Sequence, residues 1–427
     1  MRKPLFRVAV YFIVALAIRI FVVAIWHYRP WAASADLGEY EALALAWSAG
    51  NPNIAPSGFV RSPLYPMFLA LIFKLFGAGD YWALGIAQAV AGAMAVSLIG
   101  YCALRLAGKL SGDIAAAAAA FYPFFLYYVP GIASEAIYLL LSSAFLVALL
   151  LVVRTNSITI YHWLGVGVLG GLAALCKATI LPILTLVGLV LGIFSHGLST
   201  RLSRFILFTA GVLLPLFPWG LYNLTKGNGF VLSSSGGGVN FYLNNGPEAY
   251  DLYVVKGSGE AFASTSRFFF EQNMKKFQQD IKGLTIQERE HFFYKKAFNY
   301  IKEHPLRWFA VMAVKLREAL RPWLRREFYG LWPSVASGAL FMLLVIGAIA
   351  GFWHSLGTME FRLSLTICLG YVIISTVFVP MIRYRFVIID PLLIIWFAIG
   401  PIPYVMSNTI RYLLPKGTFL GMRFRQS

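Results

Sequence analysis

Unbroken apolar stretches constrain this chain more than any other feature. Val8 to Trp26, Tyr81 to Leu106, Ala133 to Val153 and Phe205 to Tyr222 approach or exceed the roughly 20 residues a helix needs to cross about 30 Å of hydrocarbon. They are continuously apolar, whereas barrel strands alternate, so helices and not strands are expected. With 59% hydrophobic and 13% charged residues over 427 positions, the chain is too apolar for a soluble globular protein. It reads as an all-α polytopic membrane protein.

Sidedness follows from the basic residues. Arg2, Lys3 and Arg7 precede the first span and place the N-terminus in the cytoplasm. The opening MRKPLFR resembles a secretory signal, and Ala33-Ser34-Ala35 a cleavage site, but the apolar run is long and Pro30 and Trp31 intervene. A retained first span is therefore expected, delivering the chain outward into a loop over 27–66. Leu64 to Phe76 is expected at the interface. Crossings are then expected over Tyr81–Leu106, Ile114–Val129, Ala133–Val153, Trp163–Cys176, Ile180–Phe194 and Phe205–Tyr222, and later over Ala336–Phe352, Leu363–Val379 and Phe386–Pro401. With the first span this makes about ten, and both termini lie inside.

The expected divisions are a membrane module over 1–222, an extracytoplasmic section over 223–333, further membrane helices over 334–406 and a cytoplasmic tail over 407–427. The outer section is long enough for a small domain. Within it, Ser233 to Gly246 (SSSGGGVNFYLNNG) suggests a glycine-rich loop around a short strand. Thr285 with Glu288 forms a capping box ahead of a helix whose apolar stripe is Phe292, Phe293, Ala297, Phe298 and Ile301. Pro305 interrupts that helix. Leu306 to Arg326 then alternates apolar and basic residues, as a helix lying on a membrane surface does.

A formal charge of +18 raises the question of nucleic acid, but the basic residues fall in tails and connecting loops, where they orient the chain and meet anionic lipid. Cys102, Cys176 and Cys368 have neither metal-type nor redox-type spacing. No internal or inverted repeat is visible.

Acidic residues occupy only 18 positions, so carboxylates at a membrane exit are candidates for chemistry. Asp36 and Glu39 lie in the first outer loop, followed by Tyr40 and Arg61. By the parity of crossings, Glu135, Lys177, Arg383 and Arg385 reach the same side. The two arginines sit in a very short outer turn, Met381 to Arg385, against the usual charge rule, and invite an anionic ligand such as a lipid phosphate. Snorkelling to headgroups accounts for them equally simply. One carboxylate among several cations suits attack by a hydroxyl with departure of a phosphate. Asp36 would accept the proton of the acceptor as general base, while Arg61, Lys177, Arg383 and Arg385 would bind the leaving phosphate. Glu39, Tyr40, Glu135 and Asn240 are candidates for acceptor contact or for supporting the reacting groups. Two carboxylates are no metal-coordination set, so no cofactor is assigned; a divalent ion between Asp36 and Glu135 is conceivable without being supported.

In its order of motifs the chain resembles the GT-C membrane glycosyltransferases, in particular the protein O-mannosyltransferase and aminoarabinose transferase relatives of glycosyltransferase family 39. The resemblance runs through Asp36-Leu-Gly-Glu-Tyr40, Arg61-Ser-Pro-Leu-Tyr-Pro66, Tyr122-Pro123, Ser134-Glu135 and Gly171-Leu-Ala-Ala-Leu-Cys-Lys177. It continues through Pro218-Trp219 with Asn223, Gly238-Val-Asn-Phe-Tyr-Leu-Asn-Asn245, His304-Pro305 and Arg383-Tyr-Arg385. It implies a GT-C fold in a bacterial cytoplasmic membrane, with Asp36 as the catalytic carboxylate. It also implies a polyprenyl-phosphate sugar donor, a lipid, glycan or protein acceptor, and transfer on the extracytoplasmic face with inversion. The other class that remains open is a transporter or flippase for a lipid-linked or anionic substrate, to which intramembrane charges would also belong.

Overall fold

The computed structural model describes residues 2–26, 35–51, 60–155, 161–195, 197–257, 274–326, 330–353 and 355–400, with the side chains of 2–3 and 35–37 left out. The expected tail over 407–427 and the cleavage-like Ala33-Ser34 therefore lie outside the described residues. In chain order the helices are α1 (Arg2–Ile25), α2 (Ala35–Ser48), α3 (Leu64–Phe76), α4 (Tyr81–Ala107), α5 (Lys109–Ala120), α6 (Pro123–Tyr127), α7 (Glu135–Arg154) and α8 (Tyr161–Cys176). A 3-10 turn leads to α9 (Leu181–Phe194) and α10 (Leu198–Thr225). The outer section follows with α11 (Gly237–Asn245), α12 (Pro247–Tyr250), a π turn, α13 (Ile286–Glu303) and α14 (Pro305–Ala319). The chain closes with α15 (Leu331–Trp353), α16 (Met359–Val377) and α17 (Ile382–Ile399).

Among the described residues, six helices are long and apolar enough to cross a membrane: α1, α4, α7, α10, α15 and α16. The ten crossings expected from the sequence are reached only when α8, α9, α17 and the α5–α6 pair are counted as well. That pair stands where one span, Ile114 to Val129, was expected. Tyr122 has extended backbone and Pro123 opens α6, so the alanine helix α5 stops and restarts, as proline dictates.

α8 and α10 approach each other almost backbone to backbone. A Cβ on Gly171 would meet the Val212 carbonyl oxygen at 2.3 Å, and one on Gly167 the Phe208 carbonyl oxygen at 2.2 Å. Small residues permit such contact between membrane helices, where packing replaces the hydrophobic effect as the driving force.

The section over 223–333, expected outside the membrane, has its own core. Val239, Tyr242 and Leu243 of α11 pack with Phe293 and Ala297 of α13, and Val377 and Phe378 at the end of α16 lean against them. The strand expected between Ser233 and Gly246 is a helix instead. Gly238, Val239 and Phe241 to Asn245 are all buried, so burial around almost the whole helix leaves no alternation to read, and its first turn is capped from elsewhere in the chain. Gly236 takes the left-handed conformation, and the Glu290 carboxylate accepts the amides of Gly236 and Gly238, the latter at 2.5 Å. The capping box is present as expected, with Glu288 Oε2 accepting the Thr285 amide at 2.8 Å.

The amphipathic helix is present as α14, but not every charge faces outward. Leu306, Phe309, Leu320 and Trp323 are exposed, whereas Lys315 and Glu318 are buried. Arg325 donates to Glu318 at 2.7 Å.

Candidate active site

Three chain segments far apart in sequence bring charge to one end of the bundle. Glu135 opens α7, where the helix dipole favours a carboxylate. Lys177 follows the last residue of α8, and Arg383 stands in the first turn of α17. Lys177 Nζ lies 2.8 Å from Glu135 Oε1, and Arg383 Nη1 lies 3.9 Å from the same oxygen. Lys177 also donates to Ser134 Oγ at 3.4 Å, and both cations face the Tyr384 ring, at 5.1 Å and 5.4 Å from its centroid. Side-chain exposure is 5% for Glu135, 10% for Lys177 and 19% for Arg383. Among the described residues, one carboxylate faces two cations in a largely dehydrated place, where charges act on an anion more strongly than they would in water.

The Arg61 segment is tied to the same end through serines. Ser62 Oγ and Ser233 Oγ are 2.9 Å apart, and Ser233 Oγ donates to the Ala174 carbonyl at 2.6 Å, three residues before Lys177. Ser235 exchanges hydrogen bonds with Val60, each 2.8 Å. Arg61 itself forms an ion pair with Glu39. Tyr40 packs edge-on against Tyr65, with centroids 5.2 Å apart, and the Tyr65 hydroxyl donates to Gln88 Oε1 at 3.2 Å. Gln88 in turn donates to the carbonyls of Val129 and Gly131 at 2.9 and 2.8 Å, fixing the turn that leads into Ser134 and Glu135.

The other predicted residues take different positions. Asp36 belongs by its backbone to the first turn of α2, and its side chain lies outside the described residues. Asn240 is exposed, and its amide donates to the Gly236 carbonyl at 2.9 Å, within its own helix. Arg385 is 2% exposed and turns inward, away from Arg383. Its Nε donates to Asp390 Oδ1 at 3.1 Å, and its guanidinium carbon lies 3.6 Å from the Phe341 ring centroid. Tyr122 at the α5–α6 break donates to Asp390 Oδ2 at 2.6 Å.

Sequence reasoning passed over Asp390, Ser134 and Tyr384. The signal for Asp390 was there: an aspartate within an apolar span needs a partner, and Arg385 is five residues away. Ser134 and Tyr384 sat inside quoted motifs, but only contact across helices reveals what they touch.

Glu135 and Glu39 are each engaged by cations. Among the described residues no group of three or more His, Cys, Asp or Glu comes together.

Beside this end of the bundle lies a groove of about 660 Å³, mainly apolar, between α2, α3 and α10. Trp47, Met67, Leu71, Pro215 and Trp219 line it. Its wall includes Pro63, two residues after Arg61, and Leu175, two residues before Lys177.

Residues 60–222 match the family described as dolichyl-phosphate-mannose-protein mannosyltransferase. No curated protein sequence matches the chain. Among solved structures, the chain is similar to the oligosaccharyltransferase AglB of Archaeoglobus fulgidus in complex with an inhibitory peptide and a dolichol-phosphate. That match has 14% identity and a TM-score of 0.58, covering 100% of this chain and 53% of the other. An Archaeoglobus fulgidus oligosaccharyltransferase tethered to an acceptor peptide matches at 12% identity and a TM-score of 0.53, over 94% of this chain and 50% of the other. The chain thus spans about half the length of these archaeal proteins. The GT-C resemblance read from the sequence is borne out, by the family match over 60–222 and by the fold of the whole chain.

Proposed function

We propose that this GT-C membrane protein transfers a sugar from a polyprenyl-phosphate carrier to a lipid, glycan or protein acceptor. The single observation that carries the reading is the pair of cations, Lys177 and Arg383, on a shared buried carboxylate, Glu135. Such a surplus of positive charge suits a phosphodiester that gains a second negative charge as it leaves. The apolar groove beside it gives hydrocarbon a place to lie, and the AglB structure contains a dolichol-phosphate.

In the proposed step the acceptor oxygen bonds to the anomeric carbon while the bond from that carbon to the phosphate oxygen breaks. The electron pair departs with polyprenyl phosphate, the acceptor proton passes to the Asp36 carboxylate, and the sugar inverts. Arg61, Lys177 and Arg383 neutralise the phosphate; Glu135 holds two of these cations in place and Glu39 the third. Tyr40 lines the acceptor side, and Asn240 stabilises the first turn of α11. The reaction faces the extracytoplasmic side of a bacterial cytoplasmic membrane, with both termini in the cytoplasm. No step calls for a metal, so EDTA is expected to leave the rate unchanged.

The test uses reconstituted protein with a pool of polyprenyl-phosphate sugars and follows the polyprenyl phosphate set free. Release should depend on an acceptor and fall by at least about a hundredfold in Asp36→Asn, the scale of a lost general base. A folded protein that releases nothing from any donor would favour transport of a lipid-linked substrate instead.

A further inference from the structure

The turn that carries Arg383 is gripped from two sides by the outer section. On one side, α16 ends at Val377, whose carbonyl oxygen accepts from Lys315 Nζ at 3.0 Å and from Asn245 Nδ2 at 2.8 Å. Lys315 is wholly buried, and its second hydrogen bond runs to the Asn244 carbonyl at 3.1 Å, near the end of α11. Both acceptors are uncharged carbonyls at helix C-termini, where backbone dipoles concentrate negative potential. The ammonium is therefore placed where two helix ends converge, yet burial still pushes Lys315 well below the ordinary lysine range. A buried amine whose described partners are two carbonyls and no carboxylate is a costly way to join two helices.

On the other side, Arg385 Nη1 donates to the Arg321 carbonyl at 3.0 Å, just beyond α14. Asp390 and Tyr122 complete that grip from within the bundle. Between the grips the chain runs from Phe378, which packs edge-on against Phe241 of α11 with centroids 5.8 Å apart, to Tyr384. Arg383 lies six residues after Val377 and two before Arg385. Both anchors originate in, or end on, α14 and the residues just after it.

We infer that Lys315 and Arg385 are positioning residues for the sugar transfer: they couple α14 to the turn bearing Arg383 and so set where that guanidinium stands relative to Glu135 and the leaving phosphate. The inference rests on the transfer reading above. Arg385, grouped with the phosphate contacts on sequence grounds, acts through Arg383 instead. The outer section thereby determines the geometry of the cation cluster without contributing a charge to it. A ligand that shifts α14 alters the affinity for the carrier phosphate.

The experiment uses the full chain in proteoliposomes, with the native cysteines replaced and Met381→Cys introduced as a reporter. Lys315→Met, which keeps the length of the side chain and removes its donors, should speed modification of the reporter by a water-soluble maleimide about tenfold, a local opening that involves no catalysis. With a polyprenyl-phosphate sugar, kcat/KM should fall about tenfold, chiefly through KM, as expected when a contact to an anion present before the reaction is misplaced. If Lys315→Met fails to fold, Asn245→Ala removes the other donor to Val377 and should move both readouts in the same direction.

Reporter reactivity and KM that stay unchanged in a folded, active variant would overturn the inference and leave the transfer reading standing. Faster reporter modification in a protein that releases no carrier phosphate from any donor would do the reverse: it upholds the coupling and removes the reaction.

Discussion

Arg383 and Arg385 leave the same turn of α17 and end in opposite surroundings. Two residues along a helix are about 200° apart, so one arginine faces the cluster at Glu135 and the other faces the packed interior. Arg383 shares its carboxylate with Lys177 and keeps 19% of its side chain exposed, whereas Arg385, 2% exposed, shares Asp390 with the Tyr122 hydroxyl. Sequence spacing alone gives the two residues one role. Their partners separate them: a carboxylate with two cations can take up an anion, while a carboxylate with one arginine and one tyrosine is already satisfied. In the proposed transfer the first arrangement would serve binding and the second the fold.

The sharpest way to break this contrast is Asp390→Ala, which strands Arg385 in the interior. Loss of one member of a buried pair costs roughly 3–5 kcal/mol, so thermal melting in detergent should drop steeply or folding should fail. Arg385→Gln should follow in size, again as lost stability, because Asp390 keeps only Tyr122. Arg383→Gln is expected to invert the pattern: melting should change little, since Lys177 remains on Glu135, while carrier release falls about tenfold or more. If Arg383→Gln unfolds the protein and Arg385→Gln only slows it, the two roles have been exchanged. The smallest effect belongs to Glu39→Gln. The Arg61 pair is about a quarter exposed, so it should contribute no more than about 1 kcal/mol, and that contribution should shrink as salt is raised.

Much of this was legible in the sequence because hydrocarbon imposes simple rules. Span length, continuous apolarity and basic turns located the long helices, and Thr285 with Glu288 announced the start of α13 by local chemistry alone. The sequence also brought Glu135, Lys177 and Arg383 to one side, and a carboxylate at the end of a span calls for a cationic partner there, but which cation it holds was not readable. What it could not supply were relations between distant segments. Ser233 to Gly246 read as loop and strand because the carboxylate that caps its helix, Glu290, lies more than forty residues downstream. Lys315 read as one charge on a polar face, since its burial depends on the ends of α11 and α16 meeting there. Ile114 to Val129 read as one span because composition does not register where Tyr122 must turn to reach Asp390.

The glycine contact between α8 and α10 bears on how a bulky molecule gets in. With Gly171 against the Val212 carbonyl, these two helices have no side-chain layer to compress, so the α10 wall of the groove is fixed to the helix that ends just before Lys177. The opposite wall is α3, which packs chiefly on α2 and turns Met67 and Leu71 outward. The groove is thus built like a vice with one stationary jaw: widening it to admit a long chain falls to the α2–α3 hairpin, the same hairpin that carries Asp36 in its first turn.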